Sequence, residues 1–211
     1  MLNKKVGFIG CGNMAKAIIN GMIASRIIAP ENVWVFDRKP ETNQAMAEKY
    51  GLHAAESLES MAREVDILVG AIKPNVMLKL LGSIAGLLKK ETLVVSIAAG
   101  ITLDALATVL GHDRKIIRVM PNTPALVGTG MTSVTPNVLV NEEDTDIILL
   151  VFRSFGKAEQ VREYLIHSVV VVSGSAPALV FMLIEAMAQP SVLGAMPRKQ
   201  AYQFPPQTLQ S

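Results

Sequence analysis

Three small residues with a fixed spacing stand near the start of the chain, in the stretch VGFIGCGNMAKAII. They are Gly10, Gly12 and Ala15, and an apolar run precedes them. Between a strand and a helix, the first glycine permits a tight turn, the second lets a phosphate approach the backbone, and the third small residue lets the helix pack against the strand. The first N–H groups of such a helix attract anions. The pattern therefore predicts a loop that binds the pyrophosphate of a dinucleotide, with an ordinary strand-to-helix turn as the alternative.

Strand and helix patterns alternate after this loop. Apolar, β-branched runs predict strands at residues 5–10, 32–37, 66–72, 91–100 and 115–121, and helical spacing predicts helices at 13–25, 41–51, 74–88 and 102–111. Such alternation is typical of a parallel sheet covered on both faces, and right-handed crossovers make the sheet doubly wound. The sequence predicts an α/β fold of the Rossmann type.

The character of the sequence changes after Pro121. A segment rich in Gly, Pro and Thr reads as loop plus a short strand, and residues 141–155 have a helical pattern. The stretch SGSAPALVFMLIEAMA then predicts a loop that leads into a buried helix. We expect a dinucleotide-binding domain over residues 1–140 and a smaller, mainly helical domain over residues 141–211.

The candidate cofactor contacts lie in the glycine loop or directly after a predicted strand, because ligands of such sheets bind beyond the carboxyl ends of the strands. They are Ile9, Gly10, Cys11, Gly12, Asn13, Met14, Ala15, Asp37, Arg38, Lys39, Ala71, Ile72, Lys73, Pro74, Ala98, Ala99 and Asn122. Asn122 and Thr123 follow the fifth strand, near the expected nicotinamide end, and are also the candidate substrate contacts.

The second strand ends in two conflicting signals for the choice of cofactor. Asp37 is placed to bind the ribose hydroxyl of NAD, whereas Arg38 and Lys39 favour the 2′-phosphate of NADP. Two cations outweigh one carboxylate, so we expect NADP, and NAD stays possible.

Composition argues against several classes of protein. The net charge is +2 and no basic tract is present, so no nucleic-acid partner is expected. A single cysteine is typical of a reducing compartment, and we expect a cytoplasmic protein. The uncharged stretch 168–184 is short for a membrane span and contains SGSAP, so no membrane partner is expected. No histidine and acid spacing predicts a metal site.

Five segments resemble those of the pyrroline-5-carboxylate reductase family, in its order and spacing. They are VGFIGCGNMAKAIINGM, VGAIKP, VVSIAAGIT, IIRVMPNTPALVGTGMT and SGSAPALVFMLIEAMA, and the resemblance runs from residue 5 to about residue 204. It implies hydride transfer from NADPH or NADH to the C=N carbon of 1-pyrroline-5-carboxylate, a cyclic imino acid, which gives L-proline in proline biosynthesis. It also implies a homodimer or higher homo-oligomer built through C-terminal helices.

The resemblance places Asn122 and Thr123 at the nicotinamide pocket, and it names no catalytic residue. A protonated cyclic imine accepts hydride without a strong general acid, so the work of the protein is mostly positioning and exclusion of water. The catalytic residues are therefore left unknown.

The C-terminal part departs from the family pattern. Family members have a late loop that binds the substrate carboxylate, and no segment of this sequence resembles it. The ending QFPPQTLQS resembles nothing in the family, and Pro190, Pro205 and Pro206 fall where the family has helices, which internal prolines break. The chain thus reads as C-terminally truncated or diverged. The alternatives are an impaired NAD(P)-binding relative that acts as a binding or regulatory module, and a relative of the 3-hydroxy-acid dehydrogenases.

Overall fold

The computed structural model describes residues 1–210. The chain forms two compact units, one from Met1 to His167 and one that begins at Ser168. The first unit contains an eight-stranded sheet with helices, and the second is helical. The predicted fold class, a Rossmann-type α/β sheet with a smaller helical C-terminal part, is confirmed.

The sheet is mostly parallel. Its strands are β1 (Val6–Ile9), β2 (Val33–Phe36), β3 (His53–Ala54), β4 (Ile67–Gly70), β5 (Leu93–Ser96), β6 (Ile116–Pro121), β7 (Gly130–Pro136) and β8 (Gly156–Gln160). Their order across the sheet is β3-β2-β1-β4-β5-β6-β7-β8. Neighbouring strands are parallel throughout, except that β6 and β7 are antiparallel. The five predicted strands correspond to β1, β2, β4, β5 and β6.

Helices connect the strands and begin or end at the expected signals. They are α1 (Asn13–Ala24), α2 (Pro40–Tyr50), α3 (Leu58–Glu64), α4 (Pro74–Ile84), α5 (Leu103–Leu110) and α6 (Glu142–Arg153). The Thr102 side chain accepts a hydrogen bond from the N–H of Ala105 and so caps α5. Helix α2 ends at Gly51, whose φ of +72° is left-handed.

The core fills both faces of the sheet, which is why the central strands β1, β4 and β5 are buried along their whole length. On one face, α1 and α6 contribute Ile18 and Phe152 to one apolar cluster. On the other face, α3 and α4 contribute Met61 and Leu81 to a second cluster. The helices fix the strand ends in place, so residues just after the strands are held on a rigid scaffold.

A buried carboxylate links α6 to the start of the chain and to β6. Asp144 is 5% exposed, and its two oxygens lie 3.0 Å from Nζ of Lys4 and 2.9 Å from Nζ of Lys115. Burial alone would raise the pKa of Asp144, but the hydrogen bonds from Lys115 and Lys4 outweigh it and lower the pKa below its ordinary value. The hydrogen bond with Asp144 raises the pKa of Lys115.

The sheet unit continues past residue 140, where the sequence predicts a domain boundary. Helix α6 packs into the first apolar cluster, and β8 pairs in parallel with β7 from Gly130 opposite Gly156. The compact unit therefore extends to His167. The reason is that β8, Gly-Lys-Ala-Glu-Gln, gains its place from backbone pairing and has little apolar pattern.

The C-terminal part is helical throughout. Its elements are α7 (Ile166–Val169), a π-helical turn (Val170–Gly174), α8 (Ala176–Leu193), α9 (Arg198–Ala201) and α10 (Phe204–Gln210). The expected break at Pro190 is wrong, because α8 continues through it to Leu193. Pro205 and Pro206 lie in the first turn of α10, where a missing N–H costs little. The four valines at 169–172 are helical despite their strand propensity.

Helix α8 is exposed, so the prediction of a buried helix is wrong for the single chain. Among its residues, only Ala188 is buried, whereas Phe181 is 68% and Met182 is 66% exposed. The helical run Glu163–Leu193 is long and apolar enough, by length and composition, to cross a membrane. An exposed apolar surface of this size is typical of a surface that contacts another protein or a membrane.

Candidate functional site

The strand order brings the predicted site residues to one side of the sheet. Strands β2, β1, β4, β5 and β6 are consecutive neighbours and parallel, so their carboxyl ends lie side by side. The chain passes from β1 to β2 on one side and later returns to β4 on the other. This reversal forms a crevice between β1 and β4, where open α/β sheets bind ligands.

Gly10 makes the tight turn at the end of β1. Its φ is +93°, and a Cβ there would lie 2.6 Å from the carbonyl oxygen of Ala71 and 2.7 Å from Cγ2 of Ile72. Its N–H donates to the carbonyl of Phe36 (2.7 Å), while Ala71 N–H donates to the carbonyl of Ile9 (2.8 Å). The loops after β1 and β4 are therefore in direct contact, and only glycine fits between them.

Gly12 stands before the first turn of α1 and faces open space. A Cβ on Gly12 would meet no atom within 4 Å, so nothing in the described chain explains a glycine here by packing. Gly12 has no side chain to cap α1, and Asn13 beside it is exposed. The first N–H groups of α1 therefore have no side-chain cap, and an uncapped helix N-terminus suits a phosphate. Ala15 is 1% exposed and packs into the core, and Met14 packs beside it.

Asp37 binds the glycine loop itself. One carboxylate oxygen accepts the N–H of Cys11 (3.0 Å), and the other accepts the N–H of Lys39 (3.2 Å). The side chains of Arg38 and Lys39 are exposed, and neither has a hydrogen bond or ion pair to another described residue. The turn after β2 (residues 37–39) therefore presents two cations to solvent.

Cys11 is a buried thiol within the glycine loop. It is 3% exposed, and burial, with the nearby charge of Asp37, raises the pKa of the thiol to about 11. A thiol that stays protonated at neutral pH is a poor nucleophile. Cys11 thus serves packing in this loop.

The loops after β4, β5 and β6 complete the same side of the sheet. Lys73 is exposed and precedes α4, which begins at Pro74. Ala98 is 4% exposed, and its N–H donates to Oγ of Ser96 (3.4 Å). Ala99 is exposed beside it, so small side chains leave room at this point.

Asn122 and Thr123 follow β6 and begin the short 3-10 helix Thr123–Val127. Oδ1 of Asn122 accepts the N–H of Met131 (2.9 Å), which joins the ends of β6 and β7. Thr123 is exposed. The 3-10 helix contacts α1, so this segment lies next to the glycine loop's helix. Within residues 1–210, no group of three or more His, Cys, Asp or Glu side chains is arranged to bind a metal.

Two family models match the chain. Residues 5–100 match the model described as NADP oxidoreductase, coenzyme F420-dependent, and residues 163–211 match the model for pyrroline-5-carboxylate reductase dimerisation. Pyrroline-5-carboxylate reductase of Escherichia coli K12 is 57% identical over 208 residues, which cover 99% of this chain and 77% of that protein. This chain belongs to the pyrroline-5-carboxylate reductase family.

Solved structures of pyrroline-5-carboxylate reductases agree. The enzyme of Coxiella burnetii is 29% identical with a TM-score of 0.92, over 99% of this chain and 78% of the other. The Plasmodium falciparum reductase, solved with NADP bound, is 32% identical with a TM-score of 0.86, over 100% of this chain and 77% of that one. The chain spans about three quarters of the length of these pyrroline-5-carboxylate reductases.

Membership of the family settles two expectations. The ending QFPPQTLQS lies inside the match to the pyrroline-5-carboxylate reductase dimerisation model, so the prediction that it resembles nothing in the family is wrong. Pro205 and Pro206 suggest broken helices in the sequence, whereas both lie in the first turn of α10. The close identity also favours the reductase over a 3-hydroxy-acid dehydrogenase and over an impaired binding relative.

Proposed function

We propose that this chain reduces 1-pyrroline-5-carboxylate to L-proline with NADPH. The observation that carries the proposal is the open glycine loop of a chain that is 57% identical to a pyrroline-5-carboxylate reductase. Bound NADPH supplies the hydride that reduces the C=N bond. The first turn of α1, from Gly12 to Ala15, would hold the pyrophosphate, since its N–H groups and dipole favour an anion.

The turn after β2 supports NADPH over NADH. Both carboxylate oxygens of Asp37 already accept backbone N–H groups, whereas the side chains of Arg38 and Lys39 are exposed and have no hydrogen bond or ion pair to another residue among 1–210. A 2′-phosphate gains charge-assisted hydrogen bonds from such cations, and a ribose hydroxyl gains much less. NADH remains a weaker cofactor, because Asp37 keeps lone pairs that a hydroxyl can use.

The chemistry needs positioning more than a proton donor. A protonated cyclic imine is an electrophile as it stands, so the side chains around it have to orient it and exclude water. Asn122 is held by the hydrogen bond that it accepts from the N–H of Met131, and the loop after the neighbouring strand β5 carries the small side chains of Ala98 and Ala99. We assign the nicotinamide and imine end of the site to this region, with Asn122 and Thr123 as its polar groups.

The apolar helix α8 supports a homo-oligomer. Leu179, Phe181 and Met182 are 61–68% exposed in the single chain, and residues 163–211 match a dimerisation model. Burial between copies of this chain explains the apolar run without a membrane. An unpaired cysteine and a substrate that is a small soluble metabolite support a cytoplasmic location.

The test is NADPH consumption by the purified chain with and without 1-pyrroline-5-carboxylate, followed by absorbance. Substrate-dependent oxidation with formation of proline is expected, and NADPH binding without oxidation would refute the reductase activity of this chain.

A double variant of the turn after β2 tests the cofactor assignment. Arg38→Ala with Lys39→Ala is expected to raise the KM for NADPH by about tenfold or more and to leave the KM for NADH within about threefold. Lys90→Ala is the matched control, since Lys90 is an exposed lysine that precedes β5 at the other end of the sheet. Equal effects on both cofactors would refute the role of these cations in binding the 2′-phosphate.

A further inference from the structure

A buried amide lies behind the turn that carries the cofactor-selecting residues. Asn43, in α2, is 7% exposed. Its Nδ2 donates to the carbonyl of Asp37 (3.0 Å), and its Oδ1 accepts the N–H of Asp37 (2.5 Å). The two bonds fix the orientation of the amide, because the carbonyl needs a donor and the N–H needs an acceptor.

The same amide also contacts the glycine loop. Sγ of Cys11 lies 3.9 Å from Oδ1 of Asn43, as a thiol donor to the amide oxygen. The raised pKa of about 11 keeps this thiol protonated, so it can donate at neutral pH. A second connection runs through Asp37, whose carboxylate accepts the N–H of Cys11 at 3.0 Å. One side chain is therefore bonded to both segments that would surround the adenosine phosphates.

We propose that Asn43 is a positioning residue that sets the cofactor preference of this protein. It clamps both backbone polar groups of Asp37 and thereby fixes the direction in which the next two residues, Arg38 and Lys39, leave the strand. This inference rests on the proposed function, in that it needs a dinucleotide in the glycine loop. Asn43 itself is buried beneath the turn and is not assigned a contact with the cofactor.

A merely structural role predicts a different outcome. Replacement of Asn43 leaves the N–H and carbonyl of Asp37 without their partners. This lowers stability whether or not the directions of Arg38 and Lys39 change. A structural role alone would lower stability and leave the ratio of NADPH to NADH affinity unchanged. A positioning role changes that ratio, because only NADPH has a phosphate that depends on where Arg38 and Lys39 point.

The experiment measures direct binding of NADPH and of NADH by fluorescence titration, together with thermal unfolding. Asn43→Ala is expected to weaken NADPH binding by about tenfold and NADH binding by less than about threefold, so the preference falls. Asn43→Asp keeps the size and the acceptor oxygen but loses the donor to the Asp37 carbonyl, and the preference is expected to fall here too. Gln44→Ala is the control, since Gln44 is the exposed neighbour whose side chain, among the described residues 1–210, bonds Glu48 (3.0 Å) and not the turn after β2.

The outcomes separate the inference from the proposed function. A folded Asn43→Asp or Asn43→Ala protein with the wild-type ratio of NADPH to NADH affinity would overturn the positioning role alone. If the wild-type chain binds neither NADPH nor NADH, both the cofactor assignment and the inference about Asn43 are refuted. Because binding is measured without substrate, a failure of turnover leaves the test of Asn43 intact.

Discussion

Gly10 and Gly12 lie two positions apart in the glycine loop, and each should lose a different property when it is changed to alanine. In Gly10→Ala, the new Cβ would lie 2.6 Å from the Ala71 carbonyl oxygen, at a φ of +93°. The left-handed backbone costs about 1–3 kcal/mol and the displaced neighbour about another 1–3 kcal/mol. The sum is about 2–6 kcal/mol, a large part of the 5–15 kcal/mol (roughly) that stabilises a domain.

Gly12→Ala is the matched partner of Gly10→Ala. The added methyl group would meet no protein atom within 4 Å, and the φ of −71° suits any residue. The free energy of unfolding should therefore change by less than about 1 kcal/mol. The methyl group would occupy space that a pyrophosphate needs for close approach, so the affinity for NADPH should fall by at least about tenfold.

Urea unfolding followed by circular dichroism, with NADPH titration of the folded proteins, separates the two effects. Gly10→Ala should lose stability. Gly12→Ala should keep wild-type stability and lose affinity for NADPH. Wild-type affinity in Gly12→Ala would refute the assignment of the pyrophosphate to this turn. Wild-type stability in Gly10→Ala would refute the tight contact between the loops after β1 and β4.

Three further predictions concern stability, reactivity and assembly. Asp144→Asn should lower the free energy of unfolding at pH 7 by about 1–3 kcal/mol, since two lysines lose their carboxylate. The native pKa of Asp144 is lowered, so the difference in stability between wild type and Asp144→Asn is present above the unfolded pKa of about 3.9 and should vanish as pH falls through the native pKa. Urea titrations at several pH values check this dependence. The Cys11 thiol should react with a disulfide reagent at pH 8 only slowly in the native protein and at once in urea; rapid native reaction would contradict its burial. If the chain forms the proposed homo-oligomer, Phe181→Arg should give a smaller mass than the wild-type protein in light scattering, and an unchanged mass would exclude this part of α8 from the proposed interface.

Most of the sheet could be predicted because its central strands are buried on both faces. Such strands read as continuous apolar runs, and turn residues such as Gly51 and Thr102 mark the intervening helices. The segments at the carboxyl ends of β1, β2, β4, β5 and β6 followed directly from the strand positions, and the structure brings them to one side. Whether each residue there binds the cofactor stays a prediction.

The missed elements lack that signal or were marked by a weaker one. Strand β8 contains only one buried residue, Ala158, so no alternating apolar pattern reveals it. Helix α3 begins with a capping box between Ser57 and Ser60, but Ser60 stands where the usual sequence signature has Glu or Gln, so the sequence signal is weak.

The site details that sequence could not provide depend on the path of the backbone. Asn43 stands six residues beyond Asp37, and only the actual turn shows that its amide reaches back to that backbone. The same turn aims the Asp37 carboxylate at Cys11. Residue types and spacing are enough to predict Arg38 and Lys39 as cofactor contacts. They do not show that Asn43 fixes the turn from which these two side chains extend.

The outermost strands of the sheet have a consequence for solubility. Strand β3 has only two residues, both exposed, and β8 exposes Lys157 and Glu159 along its length. Short or charged edge strands resist pairing with the strands of another molecule, which is the usual route from a sheet to an aggregate. Growth of the sheet across molecules is therefore disfavoured at both margins, so it does not compete with the proposed association of copies through α8.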